Sequence, residues 1–160
     1  MNWDRFTEAC PEIATKARER FESDELVVLG TIRRDGSPRI SPNEVDFAAG
    51  RLLLGMMWQS RKALDVLRDP RVVVHSRPRD RLGTGGDVKL YGVLVPEEDA
   101  TVRRDYGDAI ERRISWRPEE PNYHLFSLDV LSAGYITFGK DRQALAWDPA
   151  GGLRRLAVPD

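Results

Sequence analysis

A single cysteine, Cys10, stands in this chain of 160 residues, so no intrachain disulfide and no cysteine metal cluster is available to hold the fold. That usage suits a reducing cytoplasm, the compartment expected for the protein. Histidine is nearly as scarce. His75 and His124 are the only two, they lie far apart, and no ligand spacing joins them to acids as a metal site. Excess charge of one sign is also missing. The chain carries 25 basic and 26 acidic residues, a net charge of -1, which gives no global pull toward nucleic acid or an anionic membrane. Any positive site is therefore local. No apolar run approaches the roughly 20 residues of a membrane span. The charge-studded stretch 1–20 lacks the apolar run of a signal peptide. The chain has no Gly-x-Gly-x-x-Gly after a strand, no Walker-type Gly-x-x-x-x-Gly-Lys and no serine on a nucleophile elbow. The common nucleotide-phosphate loops and a hydrolase triad thus have no support.

What is present reads as one globular domain, 1–160, with 41% hydrophobic residues and enough length for a real core. Residues 3–21 have a helical pattern that Pro11 interrupts and splits. Apolar, β-branched runs predict strands at 26–32, 51–57, 71–76 and 87–95. Asp35-Gly36 marks a hairpin whose return strand, 39–47, carries Pro38 and Pro42 at an edge. A helix is expected from Arg61 to the Asp69-Pro70 stop, with Ala63, Leu64 and Leu67 inward. A second follows Pro96-Glu97-Glu98-Asp99 as far as Arg113. One long strand over 125–139, bulged at Gly134, and a hairpin around 149–152 close the chain. Seven or eight strands on short turns, with two or three helices, predict a mainly β fold closed as a barrel.

The stretch 57–67 organises the rest. Ser60 takes the N-cap position, its hydroxyl suited to accept from a first-turn N–H. Arg61 and Lys62 follow at the positive end of the helix dipole, where each cation costs about 0.3–1 kcal/mol. A bound phosphate reverses that sign, because free N–H groups, dipole, guanidinium and ammonium would all face it. The alternative is that both side chains extend into water, where screening makes the penalty small. The basic loop Arg77, Arg79, Arg81 has no interleaved aromatic to stack on bases and reads as a solvated turn. If the ligand brings redox chemistry with it, the protein need supply only binding, orientation and electrostatics. That accounts for a chain with no visible catalytic constellation; no general acid or base is assigned.

The order of these features over residues 26–76 resembles the pyridoxamine 5'-phosphate oxidase-like FMN-binding split-barrel superfamily. The likeness rests on Asp35-Gly36-Ser37-Pro38-Arg39, then Arg39-Ile40-Ser41, Met57-Trp58-Gln59-Ser60-Arg61-Lys62 and Arg68-Asp69-Pro70-Arg71-Val72. It implies a split β-barrel of six strands with added helices, forming a homodimer with the cofactor in the groove between subunits. Carried over residue by residue, Ser60, Arg61 and Lys62 hold the phosphate, and Arg39, Ile40 and Ser41 run beside the ring. Met57 and Trp58 flank the cofactor. The implied cofactor is FMN, with the 8-hydroxy-5-deazaflavin coenzyme as alternative. The implied activity is hydride transfer through the flavin N5 to or from a small substrate. The chain ends in 151–160 without the Trp, Gly, Arg, Pro and Asp-rich segment of true pyridoxamine 5'-phosphate oxidases, which argues against vitamin B6 oxidation. For a deazaflavin coenzyme, Arg77, Arg79 and Arg81 would meet the acidic tail. A cofactor-carrying protein without turnover is a further alternative, and a heme-handling relative would need His75 or His124 as axial ligand. Trp147 either packs in its hairpin or reaches a partner's cofactor.

Overall fold

The computed structural model describes residues 1–158, so Pro159 and Asp160, the last two residues of the terminal segment, lie outside the described residues. The elements follow in the order α1 (Trp3–Ala9), α2 (Pro11–Asp24), β1 (Leu26–Ile32), β2 (Pro38–Glu44), β3 (Asp46–Ala48), β4 (Arg51–Met57), α3 (Arg61–Arg68), β5 (Arg71–Ser76), β6 (Asp87–Pro96), α4 (Ala100–Ile114), β7 (Tyr123–Thr137), β8 (Gln143–Asp148) and β9 (Gly152–Leu156). The described residues thus hold nine strands and four helices, more than the sequence pattern predicts. The difference arises where one run divides in two. Cys10 leaves helical geometry so that Pro11, which has no N–H, opens α2. Val45 separates β2 from β3.

All strand pairs are antiparallel and follow the path β2-β1-β5-β6-β7-β4-β3, with the β8–β9 hairpin attached to β7. The ladder is open, ending at β2 on one side and at β3 on the other. Those two ends are consecutive stretches of one chain, joined at the buried Val45. The circuit of β1, β5, β6, β7, β4 and the bent 38–48 ribbon therefore turns back on itself through the backbone rather than through a ladder. At this seam Asn43 Nδ2 donates to the Gly55 carbonyl at 3.2 Å, a side-chain bond where β2 and β4 have no ladder.

Alternation fills the interior. Leu29 on β1, Leu54 on β4, Val74 on β5, Leu90 on β6 and Leu128 on β7 are all buried in one cluster. Each such side chain contributes about 1.5–3 kcal/mol on burial. Trp3, Phe6, Ile13 and Phe21 of α1 and α2 join the same cluster, so the helical pair covers the barrel. Buried Arg20 fastens α2 to the 77–86 loop by donating to the carbonyls of Gly85 at 2.8 Å, Arg77 at 2.5 Å and Gly86. No helix among the described residues is long and apolar enough to cross a membrane.

Two local expectations change and an open one is decided. The β6–β7 register shifts between Tyr91 and Gly92, leaving Leu131 as the extra residue, while Gly134 pairs regularly with Lys89. Half-exposed Leu131 is thrown outward there. In α3 the buried residues are Ala63, Asp65 and Val66, whereas Leu64 and Leu67 are exposed. An eight-residue helix is too short for apolar spacing to fix its phase, and a buried charge sets the phase instead. Trp147 is buried against Phe6, ring centroids 5.1 Å apart, and belongs to the core.

Candidate functional site

The site grows out of the turn that joins β4 to α3. Gln59 takes a left-handed conformation, φ 55, and the Ser60 N–H donates to the Met57 carbonyl at 3.1 Å. That tight turn delivers Ser60 in extended geometry as N-cap, and its carbonyl accepts the first helical bond from Leu64 at 3.0 Å. The amides of Arg61, Lys62 and Ala63 precede that bond, as in any helix start. Ser60 holds the predicted position without the predicted bond. Its hydroxyl caps no N–H, and its Oγ is buried without a hydrogen-bond partner among the described residues. Burying such a group unpaired costs about 1–3 kcal/mol, so something external is called for.

Two cations diverge from this tip. Lys62 Nζ donates to the Pro42 carbonyl at 2.8 Å. Burial lowers its pKa, and the charge of Glu44 pulls part of that shift back. It shares a hollow of about 560 Å³ with Met57, Asn43, Tyr106, Trp116 and Tyr123. Burial raises the Tyr106 phenol far above its ordinary value, so it stays protonated at any physiological pH. Arg61 lies instead in a second hollow, about 640 Å³, with Arg33, Arg34, Arg39 and Arg68. Buried Asp65 anchors the floor. It accepts from Arg39 Nε at 2.6 Å, from Arg68 Nη2 at 3.3 Å and from Thr31 Oγ1 at 3.2 Å. Burial pushes the Asp65 carboxyl up, but the bonds and charges of its partners outweigh it and hold the pKa below the usual range. Asp65 therefore ties α3 to β1 and β2 and fixes where the helix tip points.

The aromatic side of the turn is ordered too. Trp58 stacks on His124 at 4.4 Å and 13°, with Phe126 beyond at 6.0 Å. The Gln59 N–H donates to His124 Nε2 at 3.3 Å, which makes that nitrogen an acceptor and places the ring proton on Nδ1. Burial lowers the His124 pKa, and the charge of Arg103 adds to the shift. His75 Nδ1 lies 2.5 Å from the Ser76 carbonyl. Each histidine thus has one ring nitrogen already engaged.

The predicted site residues divide. Met57 and Lys62 meet in one hollow and Arg39 and Arg61 in the other, while Ser60, the N-cap of α3, lines neither. Ile40 and Met57 are 75% exposed and Trp58 is 53% exposed, an apolar surface around the site. Ser41 sits opposite Leu29 in the β1–β2 ladder. In the basic loop, Arg79 Nε donates to buried Asp24 at 2.8 Å, so the loop is stapled to α2 rather than set out for a ligand tail. Sequence reasoning misses Asp65, Asn43, Tyr106, Trp116 and Tyr123. None of them leaves a clear signal in the sequence: Asp65 falls outside the Leu64 and Leu67 phase, and Asn43 shares its phase with polar Arg39 and Ser41.

A phosphate monoester fits this tip. It would meet a buried, unpartnered hydroxyl and the first-turn N–H groups of α3, and Arg61 and Lys62 would turn from their separate hollows to reach it.

Comparison with protein-family models and with curated proteins gives no match. Solved structures do match in fold. A heme-binding protein from Mycobacterium smegmatis is 20% identical with a TM-score of 0.66, over 84% of this chain. The match spans 57% of the length of that protein. General Stress Protein 26 from Bacillus anthracis is 24% identical with a TM-score of 0.61, covering 89% of this chain and 97% of the other. A pyridoxamine 5'-phosphate oxidase-related, FMN-binding protein from Nostoc punctiforme is 14% identical with a TM-score of 0.66, covering 91% and 95%. With the 38–48 ribbon bent at Val45 and helices over the barrel, this chain has the fold of solved proteins described as pyridoxamine 5'-phosphate oxidase-related, one of them FMN-binding.

Proposed function

We propose that the chain is a homodimeric, FMN-dependent oxidoreductase that anchors the cofactor phosphate at the tip of α3. The observation that carries this reading is the buried Ser60 hydroxyl left without a partner beside Arg61 and Lys62. In this reading Ser60 and the first amides of α3 bond the phosphate oxygens, while Arg61 and Lys62 balance their charge. Charge-assisted bonds of this kind contribute about 1.5–3 kcal/mol each. Arg39, Ile40, Ser41, Met57 and Trp58 bound the cofactor on the β2 and β4 sides. Bound FMN supplies hydride transfer at its N5; the chain supplies position, charge and exclusion of water. Exposed Ile40, Met57, Trp58 and Leu64 around the tip support closure by a second copy in the cytoplasm. The test is a fluorescence titration with FMN. Ser60→Ala, or Arg61→Ala with Lys62→Ala, should weaken binding at least tenfold with unchanged circular dichroism. Equal affinity would refute the placement.

A second reading, the 8-hydroxy-5-deazaflavin coenzyme, is favoured by one observation. Five arginines, Arg33, Arg34, Arg39, Arg61 and Arg68, line the hollow next to the tip against only Asp35 and Asp65, a setting for an acidic tail. We prefer this hollow to Arg77, Arg79 and Arg81 for that role, because the Arg79 ion pair with Asp24 holds that loop on α2. Arg33→Ala with Arg34→Ala should then weaken the deazaflavin coenzyme and spare FMN. If both ligands respond alike, the tail assignment fails. A heme role has less support at His124, whose Nε2 accepts from Gln59, whereas His75, with Nδ1 on the Ser76 carbonyl, keeps Nε2 free as an axial ligand. A Soret band in the purified protein would reverse that ranking.

A further inference from the structure

The turn that delivers Ser60 is held from outside by one side chain, His124 on β7. Its ring stacks on Trp58, centroids 4.4 Å apart at 13°, and its Nε2 accepts the Gln59 N–H at 3.3 Å. Met56 is its ladder partner, so the ring stands where β4 ends and the chain leaves for α3. Gln59 is the left-handed residue of that turn, φ 55. A residue other than glycine keeps such a conformation only where its surroundings fix it. One bond inside the turn does so, from the Ser60 N–H to the Met57 carbonyl at 3.1 Å. The other backbone anchor is the imidazole of His124.

An imidazole accepts only while it is neutral, because the cation carries a proton on both nitrogens. Protonated Nε2 would set an N–H against the N–H of Gln59, and an attraction becomes a repulsion. The surroundings favour the neutral ring. Arg103 on α4 acts on it, and Glu120 offsets part of that charge through bonds of 2.7 and 2.8 Å to the same guanidinium. Met56 on β4, Phe126 on β7 and the turn residues Trp58 and Gln59 bring no charge. Tyr123 stays a neutral phenol, and Arg61 and Lys62 of α3 lie in their own hollows. Burial, and then the Arg103 charge, hold the His124 pKa below its ordinary value of about 6.5. The ring is therefore neutral at pH 7 and protonates as pH falls through that lowered value. We propose that neutral His124 is a positioning residue for the cofactor phosphate: it holds the Gln59 amide, and through it the Ser60 hydroxyl and the first amides of α3, and its protonation loosens the anchor. The assignment rests on the FMN reading above and adds to it a pH dependence that belongs to the protein rather than to the phosphate.

Two measurements on wild type, His124→Gln and His124→Phe test this. Glutamine keeps an acceptor that does not titrate, and phenylalanine keeps a ring that cannot accept. In the ligand-free wild type, NMR should show the Gln59 amide shifting with the same midpoint as the His124 ring. FMN titrations at about pH 7 and about pH 5 then read the anchor. The FMN phosphate has its own ionisation near pH 6, which is common to all three proteins, so His124→Gln supplies the baseline. Between the two pH values the wild type should lose about threefold more affinity than His124→Gln. His124→Phe should bind weakly at both, with thermal melts to show that the variants are folded. A Gln59 amide that ignores the His124 titration overturns the clamp whether or not flavin binds. Equal losses in wild type and His124→Gln overturn the link to the phosphate and leave the Ser60 anchor standing. Failure of the wild type to bind FMN at either pH removes the flavin reading and this role with it.

Discussion

Replacing Asp65 by asparagine keeps the shape of the side chain and removes one negative charge from the floor of the arginine hollow. The carboxylate accepts from Arg39 at 2.6 Å, from Arg68 at 3.3 Å and from Thr31 at 3.2 Å. The Arg39 bond is short and largely shielded, while the Arg68 side chain is 37% exposed and regains water easily. The carboxamide turns an N–H₂ toward at least one guanidinium, so a bond becomes a repulsion. One strong charge-assisted bond, a weaker second and the residual repulsion together give a loss of about 2–4 kcal/mol at pH 7. For a chain of this size each kcal/mol lowers Tm by about 2–4 °C. The pH dependence carries the sign. The folded-state pKa of Asp65 is depressed, because the arginine and threonine contacts together outweigh the upward push of burial. Its contribution is therefore fully present above the unfolded value of about 3.9. It is lost as pH falls through the lower folded value. Urea unfolding of wild type and Asp65→Asn at pH 7 and near pH 3 reads this directly, with a gap that narrows in acid. A gap below about 0.5 kcal/mol at pH 7, or one that does not narrow in acid, refutes the clamp.

Three further outcomes follow from contacts elsewhere. A Cβ at Gly55 would fall 2.1 Å from Tyr106 Oη, so Gly55→Ala should cost about 1–3 kcal/mol in a urea melt, and less in a Tyr106→Phe background. Equal cost in both backgrounds would place the crowding elsewhere. Trp58→Ala uncovers His124, whose pKa is held down by burial and then by Arg103, so NMR titration should show that pKa moving up toward its ordinary value. Arg20→Met strands three carbonyls and leaves buried Asp24 with only Arg79, so it should destabilise by about 3–5 kcal/mol and open the 77–86 loop to proteases.

Local order was legible in the chain wherever it is locally encoded. The strands at 26–32, 51–57 and 71–76, the helix start at Ser60 and the stop at Asp69-Pro70 all stand where apolar runs and breakers put them. The split at Pro11 was legible for the same reason. Closure at Val45 was not, because it depends on β2 and β3 finding different partners, β1 and β4, which no window of sequence records. The phase of α3 was misjudged because Leu64 and Leu67 look like core, yet Asp65 faces inward to meet Arg39 from 26 residues away. The bulge fell at Leu131 rather than Gly134, since register is a property of the strand pair and not of the glycine. The cations at 61 and 62 were visible as an electrostatic misfit. Their divergence into two hollows, and the orphan oxygens of Ser60 and Asn43, belong to tertiary structure alone.

The account depends most on Ser60 serving a ligand rather than its own helix, and Ser60→Ala separates the two with opposite signs. An ordinary capping serine costs about 0.5–2 kcal/mol when replaced by alanine. Here the hydroxyl makes no capping bond and is buried unpaired, so the ligand-free variant should match the wild type or exceed it by up to about 1 kcal/mol. FMN affinity, measured in the same preparation, should fall at least tenfold. A ligand-free Ser60→Ala protein destabilised by a full cap's worth, with FMN affinity unchanged, would contradict the account at its centre.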